Sequence, residues 1–209
     1  DEMEDRDGVG ACLALNHGAA HDGLLARYGA FRELCVTARD PVTGMLVGGA
    51  NFIAMPQAAP SGAAIVTANL NYVFVDAAAR GQGWFRPLVA SVRDLIGTLF
   101  SQEAPCAVLV FIEQNDPLLL TSQAYERDSR FSGIDQFDRL RIWASQQARI
   151  VDFPYAQPPL SARQAPDDRL IYSVLGAPDA WLDACLLQRH LRSFFGISVL
   201  KGEDSEAVP

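Results

Sequence analysis

No two of the four cysteines form a C-x-x-C pair; Cys12, Cys35, Cys106 and Cys185 are spread widely along the chain. That spacing offers no disulfide framework. The four read as small buried hydrophobes in a reducing compartment, with Cys106 in an apolar strand and Cys185 on the apolar side of a helix. No apolar run approaches the length that spans a bilayer, and the acidic opening (Asp1, Glu2, Glu4, Asp5, Asp7) is the opposite of a secretory signal. The expectation is a cytoplasmic protein with no membrane partner. Basic residues are the minority: 17 Lys and Arg face 25 Asp and Glu, for a formal net charge of −8. Such a chain lacks the basic face that neutralises phosphates, so nucleic acid is not an expected partner, and a cationic acceptor such as an amine suits it better. Metal-binding signals are also thin. His17 and His21 have the i, i+4 spacing of a helical metal pair, but Gly18 stands where a zincin carries Glu. They read as solvated loop histidines, and no metal is expected.

What is there is an ordinary globular composition, 49% apolar and 20% charged over 209 residues, enough for one full hydrophobic core. No repeat or low-complexity linker divides it. A single domain over residues 1–200 is expected, followed by an acidic disordered tail at 201–209. Its organising stretch is Leu70 to Phe85 and the apolar-striped run to Phe100, which reads as a strand, a tight turn bearing Gly81 and Gly83, and a helix. Leu88, Val92, Leu95, Ile96 and Leu99 fall on one face of a 3.6-residue period, with Pro87 tolerable in the first turn. A helix start exposes unpaired N–H donors and about half a positive charge, so its natural guest is a phosphate.

Around that stretch the chain alternates. Residues 1–30 carry few signals, and Gly18, Gly23 and Gly29 argue against one rigid helix there. Strands are expected at 34–39, 45–55 and 64–76, linked by a turn at Asp40-Pro41 and a loop with Pro56 and Pro60-Ser61-Gly62. Short links make these an antiparallel meander. The uninterrupted apolar run Cys106 to Ile112 reads as a central strand, parallel to the one before it through a right-handed crossover. Residues 114–148 read as mostly helical, broken at Gly133, with Phe137, Leu140, Trp143 and Ala144 on one stripe. Strands follow at 149–155 and 170–175, separated by a loop holding Pro158, Pro159 and Pro166. A last helix is expected from an Asp179 cap to Phe195, burying Leu187, Leu191, Phe194 and Phe195 and stopping at Gly196. Arg189, His190 and Arg192 complement the dipole at its end.

The pattern Val75, Asp76, Arg80, Gly81, Gln82, Gly83 resembles the acetyl-CoA loop of the GNAT family of N-acetyltransferases, written R/Q-x-x-G-x-G/A. Arg80 and Gly83 match, while Phe85 stands where the last small residue is expected. The element order follows the family plan over residues 31–175, with a shortened start and an extra C-terminal helix. The resemblance implies an α/β (α+β) fold: a mixed, mostly antiparallel sheet whose central strand pair splays, with helices on both faces. It implies acetyl-CoA or another acyl-CoA as co-substrate, its pantetheine arm lying along Val73, Phe74 and Val75. The diphosphate would take N–H groups from Arg80, Gly81, Gln82, Gly83, Trp84 and Phe85, provided Phe85 points away.

The implied reaction is attack of a primary amine, on a small molecule or peptide, at a thioester carbonyl in a ternary complex. It needs a neutral amine, an oxyanion donor and an acid for the thiolate. Where histone-type relatives carry a Glu base the chain has about Asn69, which accepts no proton. Glu113, at the end of the buried strand, is the remaining carboxylate; beside a splay it would be partly desolvated with a raised pKa. Asn115 would orient cofactor or acceptor, and Tyr125 is the candidate acid. Asp116, Glu126 and Asp128 would draw an ammonium group, or form an ordinary wet helix face. A homodimer is among the partners to test for.

Two other readings stand beside this one. One is a GNAT-like module without catalysis, for sensing or assembly. The other is a dinucleotide-binding oxidoreductase, since Gly81-Gln82-Gly83 follows a strand and opens a helix. Against the latter, the third glycine of G-x-G-x-x-G falls on Arg86, and the acid comes about 30 residues on rather than about 20.

Overall fold

The computed structural model describes residues 18–58, 64–100, 106–159, 164–177 and 182–202. Expectations placed on Cys12, His17, the acidic opening, the Pro60-Ser61-Gly62 loop, the Asp179 cap and the tail from residue 203 fall outside them.

Helix α1 (Gly18–Tyr28) precedes three strands, β1 (Arg32–Arg39), β2 (Leu46–Ala58) and β3 (Ala64–Val75). Helix α2 (Phe85–Thr98) leads to β4 (Ala107–Asn115), then α3 (Ser122–Ser132), α4 (Gln136–Ser145), β5 (Arg149–Ile150), β6 (Leu170–Leu175) and α5 (Ala184–Phe194). Among the described residues the strands form one six-stranded sheet in the order β1-β2-β3-β4-β6-β5. Only the β3–β4 pair is parallel; every other pair is antiparallel. This is a mixed α/β fold with a mostly antiparallel sheet, built from the meander and crossover that the patterning predicts.

Strand alternation sorts the two faces. Phe52, Ala54, Val66, Ala68, Leu70, Val110 and Ile112 turn to one side and are buried with Leu88, Val89, Val92 and Ile96 of α2 and Trp143 of α4. Each Val, Leu, Ile or Phe among them contributes about 1.5–3 kcal/mol by leaving water. On the opposite face Leu109, Phe111, Tyr172 and Val174 meet Leu186, Leu187 and Leu191 of α5. Leu24, Phe31, Ile53, Met55, Phe194 and Ile197 close a third cluster where α1 and α5 meet β2.

Several local expectations change. Gly18 opens α1 and Gly29 follows its last residue, both at positive φ, so neither breaks it and Gly23 is the one glycine in its interior. Strand β2 runs on through Pro56, opposite Val66 on β3. This is tolerated because β1 pairing has ended at Ala54, so β2 there has a strand on one side only. The strand expected at 149–155 lasts two residues; Val151 N–H still donates to the Tyr172 carbonyl at 2.8 Å before the chain leaves β6, and Pro154 could add no N–H beyond it. Cys35 and Cys185 are exposed rather than buried, the first facing Asn51 and the second early on the outer side of α5. Asp183 caps α5 through the Leu186 N–H at 2.6 Å. Gly196 does not stop the helix: a π turn carries it to Val199, and Gly196 is buried where a Cβ would run into the Tyr28 ring. The chain turns instead at Gly202, at positive φ, whose N–H donates to the Gly196 carbonyl at 2.8 Å.

Candidate active site

The parallel pairing of β3 with β4 runs from Ile65↔Ala107 to Leu70↔Ile112 and ends there, although β3 continues to Val75 and β4 to Asn115. Asn71 has no partner residue on β2, because Phe52 faces Leu70 and Asn51 faces Tyr72. This bulge bends β3 just where the parallel ladder stops. Beyond it Val73, Phe74 and Val75 have β2 on one side, while Glu113, Gln114 and Asn115 have β6 on the other. The two strands part into a wedge with a main-chain edge on each wall.

At the head of β3, Asp76 caps a 3-10 turn (Ala77–Ala79), and Gly81 and Gly83 follow at φ +74° and +83°. Nothing lies within 4 Å of where their Cβ atoms would stand, so the turn is open. Helix α2 starts with Trp84 at its cap position and no side chain on its first N–H groups. Phe85 turns into the core and meets Trp143 edge to face at 5.1 Å, clear of the turn. Gln82 folds back to the Ala78 carbonyl at 3.0 Å, and the Trp84 indole donates to it at 3.5 Å. Arg80 donates to the Val75 carbonyl at 3.2 Å and the Gly133 carbonyl at 3.4 Å, tying the end of β3 to the α3–α4 corner. These residues fit a diphosphate with an extended amide arm: an open glycine turn, an uncapped helix start and an unpaired strand edge adjoin one another.

Glu113 stands at the wedge on the α5 face. Its Oε1 accepts from the Tyr155 hydroxyl and from Gln157 Nε2 at 3.1 Å, and Oε2 from Asn69 Nδ2 at 3.5 Å. Burial pushes its pKa above the ordinary carboxylate range, against the downward pull of those three donors. Burial and the Glu113 charge together raise the Tyr155 phenol far above its usual value. Asn69 Nδ2 also donates to Asn71 at 3.0 Å, and Asn71 in turn to Asn51 at 2.7 Å and Glu33 at 3.4 Å. Behind Asn69, the Tyr172 hydroxyl lies 3.0 Å from Asn69 Oδ1 and 2.9 Å from His190 Nε2.

The other expected site residues lie apart from this cluster. Asn115 donates to Asp128 at 3.0 Å, tying β4 to α3. Tyr125, on α3, donates to Asp135, the cap of α4, at 2.6 Å, and that bond raises its pKa. His190 corrects the reading of a charge at a helix end: it is fully buried, stacked on Phe111 at 4.2 Å, and burial pushes its pKa down to about 3. It shares its stripe with Leu186, Leu187, Leu191 and Phe194, a periodicity visible in the sequence. Tyr155, Gln157 and Tyr172 escape sequence reading, because their contacts with Glu113 and Asn69 join distant segments. His21, on α1, lies against Phe31 and beside Asp22; no metal-ligating cluster occurs among the described residues. No described helix is long and apolar enough to cross a membrane.

No family model and no curated protein matches the chain. Among solved structures it is similar to an aminoglycoside 6'-N-acetyltransferase complexed with coenzyme A, at 16% identity and TM-score 0.41, covering 78% of this chain and 85% of that one. The aminoglycoside 6'-N-acetyltransferase of Enterococcus faecium is 15% identical at TM-score 0.39, over 70% and 76%. The ribosomal-protein-S18-alanine N-acetyltransferase of Escherichia coli is 15% identical at TM-score 0.38, over 76% and 78%. Such likeness is one of chain path, and it assigns no role to any residue here.

Proposed function

We propose that this chain is an acyl-CoA-dependent N-acyltransferase of the GNAT type, transferring an acyl group, acetyl in the first instance, to a primary amine by direct attack in a ternary complex. The observation that carries the reading is the parting of β3 from β4 beyond Leu70↔Ile112, with an open glycine turn at one end and a half-buried carboxylate on the wall. A parted parallel pair offers main-chain donors and acceptors to an extended amide arm, as strand addition does.

Arg80 through Phe85 would hold the diphosphate with backbone N–H groups, and Val73, Phe74 and Val75 the arm. When bound, acyl-CoA supplies an activated thioester carbonyl. Glu113 then receives the proton of the attacking amine at Oε2, since Oε1 already takes two donors. Its raised pKa makes it a stronger base than a free carboxylate. Tyr155 and Gln157 orient that carboxylate. Tyr125 keeps its proton and is the candidate acid for the leaving thiolate, on letting go of Asp135. Asn115 positions α3 through Asp128.

The acceptor class is an amine on a small molecule or peptide, as the acidic chain favours. A dinucleotide-binding unit would need a parallel βαβαβ sheet, whereas only one strand pair among the described residues is parallel. Purified protein incubated with acetyl-CoA and a panel of primary amines tests the proposal by thiol release. Acyl-CoA-dependent release with at least one amine supports it. Binding of acyl-CoA without turnover on any amine favours a non-catalytic module, and absence of binding ends both.

A further inference from the structure

Asn69, Tyr172 and His190 form a buried chain that ends on Glu113, and the chain can run in two senses according to which way the Asn69 amide is turned. In the first, His190 Nε2–H donates to the Tyr172 oxygen, the Tyr172 hydroxyl donates to Asn69 Oδ1, and Asn69 Nδ2 donates to Glu113. In the second, every bond reverses. His190 Nε2 accepts from Tyr172, Tyr172 accepts from Asn69, and the Asn69 oxygen faces both Glu113, which must then carry a proton on Oε2, and Asn71, whose own amide must turn with it. The two differ at the far end. His190 Nδ1 is buried and has no partner among the described residues. The second arrangement puts a hydrogen on that nitrogen, an orphaned buried donor; the first leaves only a bare lone pair there. His190 is fully enclosed, stacked between Phe111 at 4.2 Å and Phe194 at 6.1 Å, so no rotation brings Nδ1 to water without unpacking α5.

We propose that His190 and Tyr172 are positioning residues that fix the Asn69 carboxamide with its NH2 toward Glu113, and thereby hold Glu113 in its proton-accepting form. This rests on the reading that Glu113 is the proton acceptor of the site. The groups facing Glu113 are Tyr155 and Gln157 from the segment after β5, Asn69 from β3 and Tyr172 from β6, with Glu33 of β1 behind Asn71. The Asn69 bond to Glu113 changes sense with the state of the chain, and the Asn69–Asn71 bond changes with it.

The test is spectroscopic and uses the whole chain without acyl-CoA. Nitrogen-15 NMR of His190 in the unsubstituted protein reads its tautomer directly. A neutral Nε2–H ring from pH 5 to 8 is expected; an Nδ1–H ring overturns the proposal, and this arm needs no variant. Carboxyl carbon-13 titration then follows Glu113, its signal assigned by its disappearance in Glu113→Gln. In Tyr172→Phe combined with Asn71→Ala, which removes the other acceptor of the Asn69 NH2, the amide is free to turn its oxygen to Glu113, so the midpoint should rise by about half a pH unit or more relative to Asn71→Ala alone. A purely structural role predicts the opposite, because loosened packing admits water and lowers the midpoint. An unchanged or lowered midpoint therefore sinks the idea. These readouts are separate from acyl-CoA binding, so loss of the acyltransferase reading would appear in the ligand assay and not here.

Discussion

The Tyr155 hydroxyl donates to the Glu113 carboxylate, although 42 positions of chain separate the two residues. The Tyr155 ring is held flat against Tyr172 at 4.3 Å, so the hydroxyl has little freedom to leave. That bond stabilises the ionised carboxylate while burial opposes it, and burial dominates. A base with a raised pKa makes turnover fail as pH falls through that pKa. The acid limb of the kcat profile is therefore expected above the ordinary glutamate range. Tyr155→Phe keeps the ring but removes a donor to the anion, so the limb should move to higher pH. A limb that stays put would free Glu113 of the role.

Glu113→Gln should lower kcat by about 10²–10⁴-fold, the usual worth of a general base, with acetyl-CoA binding preserved. Its effect on stability has the opposite sign. A carboxyl whose folded pKa lies above its unfolded value contributes stability that is full below the unfolded pKa and is lost as pH rises through the folded one. At neutral pH the ionised, half-buried group is thus a cost that the amide does not carry. Thermal melts at pH 8 and pH 4 should show Glu113→Gln gaining relative to the unsubstituted protein at the higher pH only.

Acetyl-CoA at about a hundred times its dissociation constant stabilises by about 2.7 kcal/mol, which for a chain of this size raises the melting midpoint by roughly 5–10 °C. Gly83→Ala places a Cβ at φ +83°, in free space but in a backbone region that disfavours it by about 1–2 kcal/mol. The turn should relax away from its present course and weaken acetyl-CoA by about tenfold, the equivalent of about 1.4 kcal/mol. Calorimetric titration of both proteins checks this, and equal affinities would remove the turn from the binding site.

Gly196→Ala should cost about 1–3 kcal/mol, the usual range for overfilling a packed site, because the new methyl runs into the Tyr28 ring. In a Tyr28→Ala background the same substitution should cost markedly less, since residues in contact are not additive. Denaturant melts of the four proteins complete the cycle; an equal cost in both backgrounds would mean that α1 does not press on the π turn.

Legibility in the sequence followed the range of the interaction. The meander, the crossover helix and the inner strand β4 were readable, because period-two and 3.6-residue patterns report burial of neighbours along the chain. The glycine turn was readable because Gly81 and Gly83 mark a backbone that other residues resist. Pro56 misled because a proline is permitted where a strand has lost one neighbour, which only the assembled sheet reveals. His190 misled because a polar residue near a helix end looks like a dipole partner until Phe111 and Tyr172 arrive from other strands. Glu113 was legible as a carboxylate ending an apolar run. Asn69 was legible only as the residue standing where a base is expected, and Tyr155 and Gln157 were not legible as companions of Glu113, since their hydrogen bonds to it close loops of 42 and 44 positions.

The opening past Leu70 and Ile112 is walled by peptide groups, and every amino acid but one carries the same peptide group. Substitution can therefore change the side chains along β3 and around the turn while the opening survives. The same fact protects the site from point truncation: only a change in the course of the chain itself, such as a proline set into β3 beyond Asn71, would shut it.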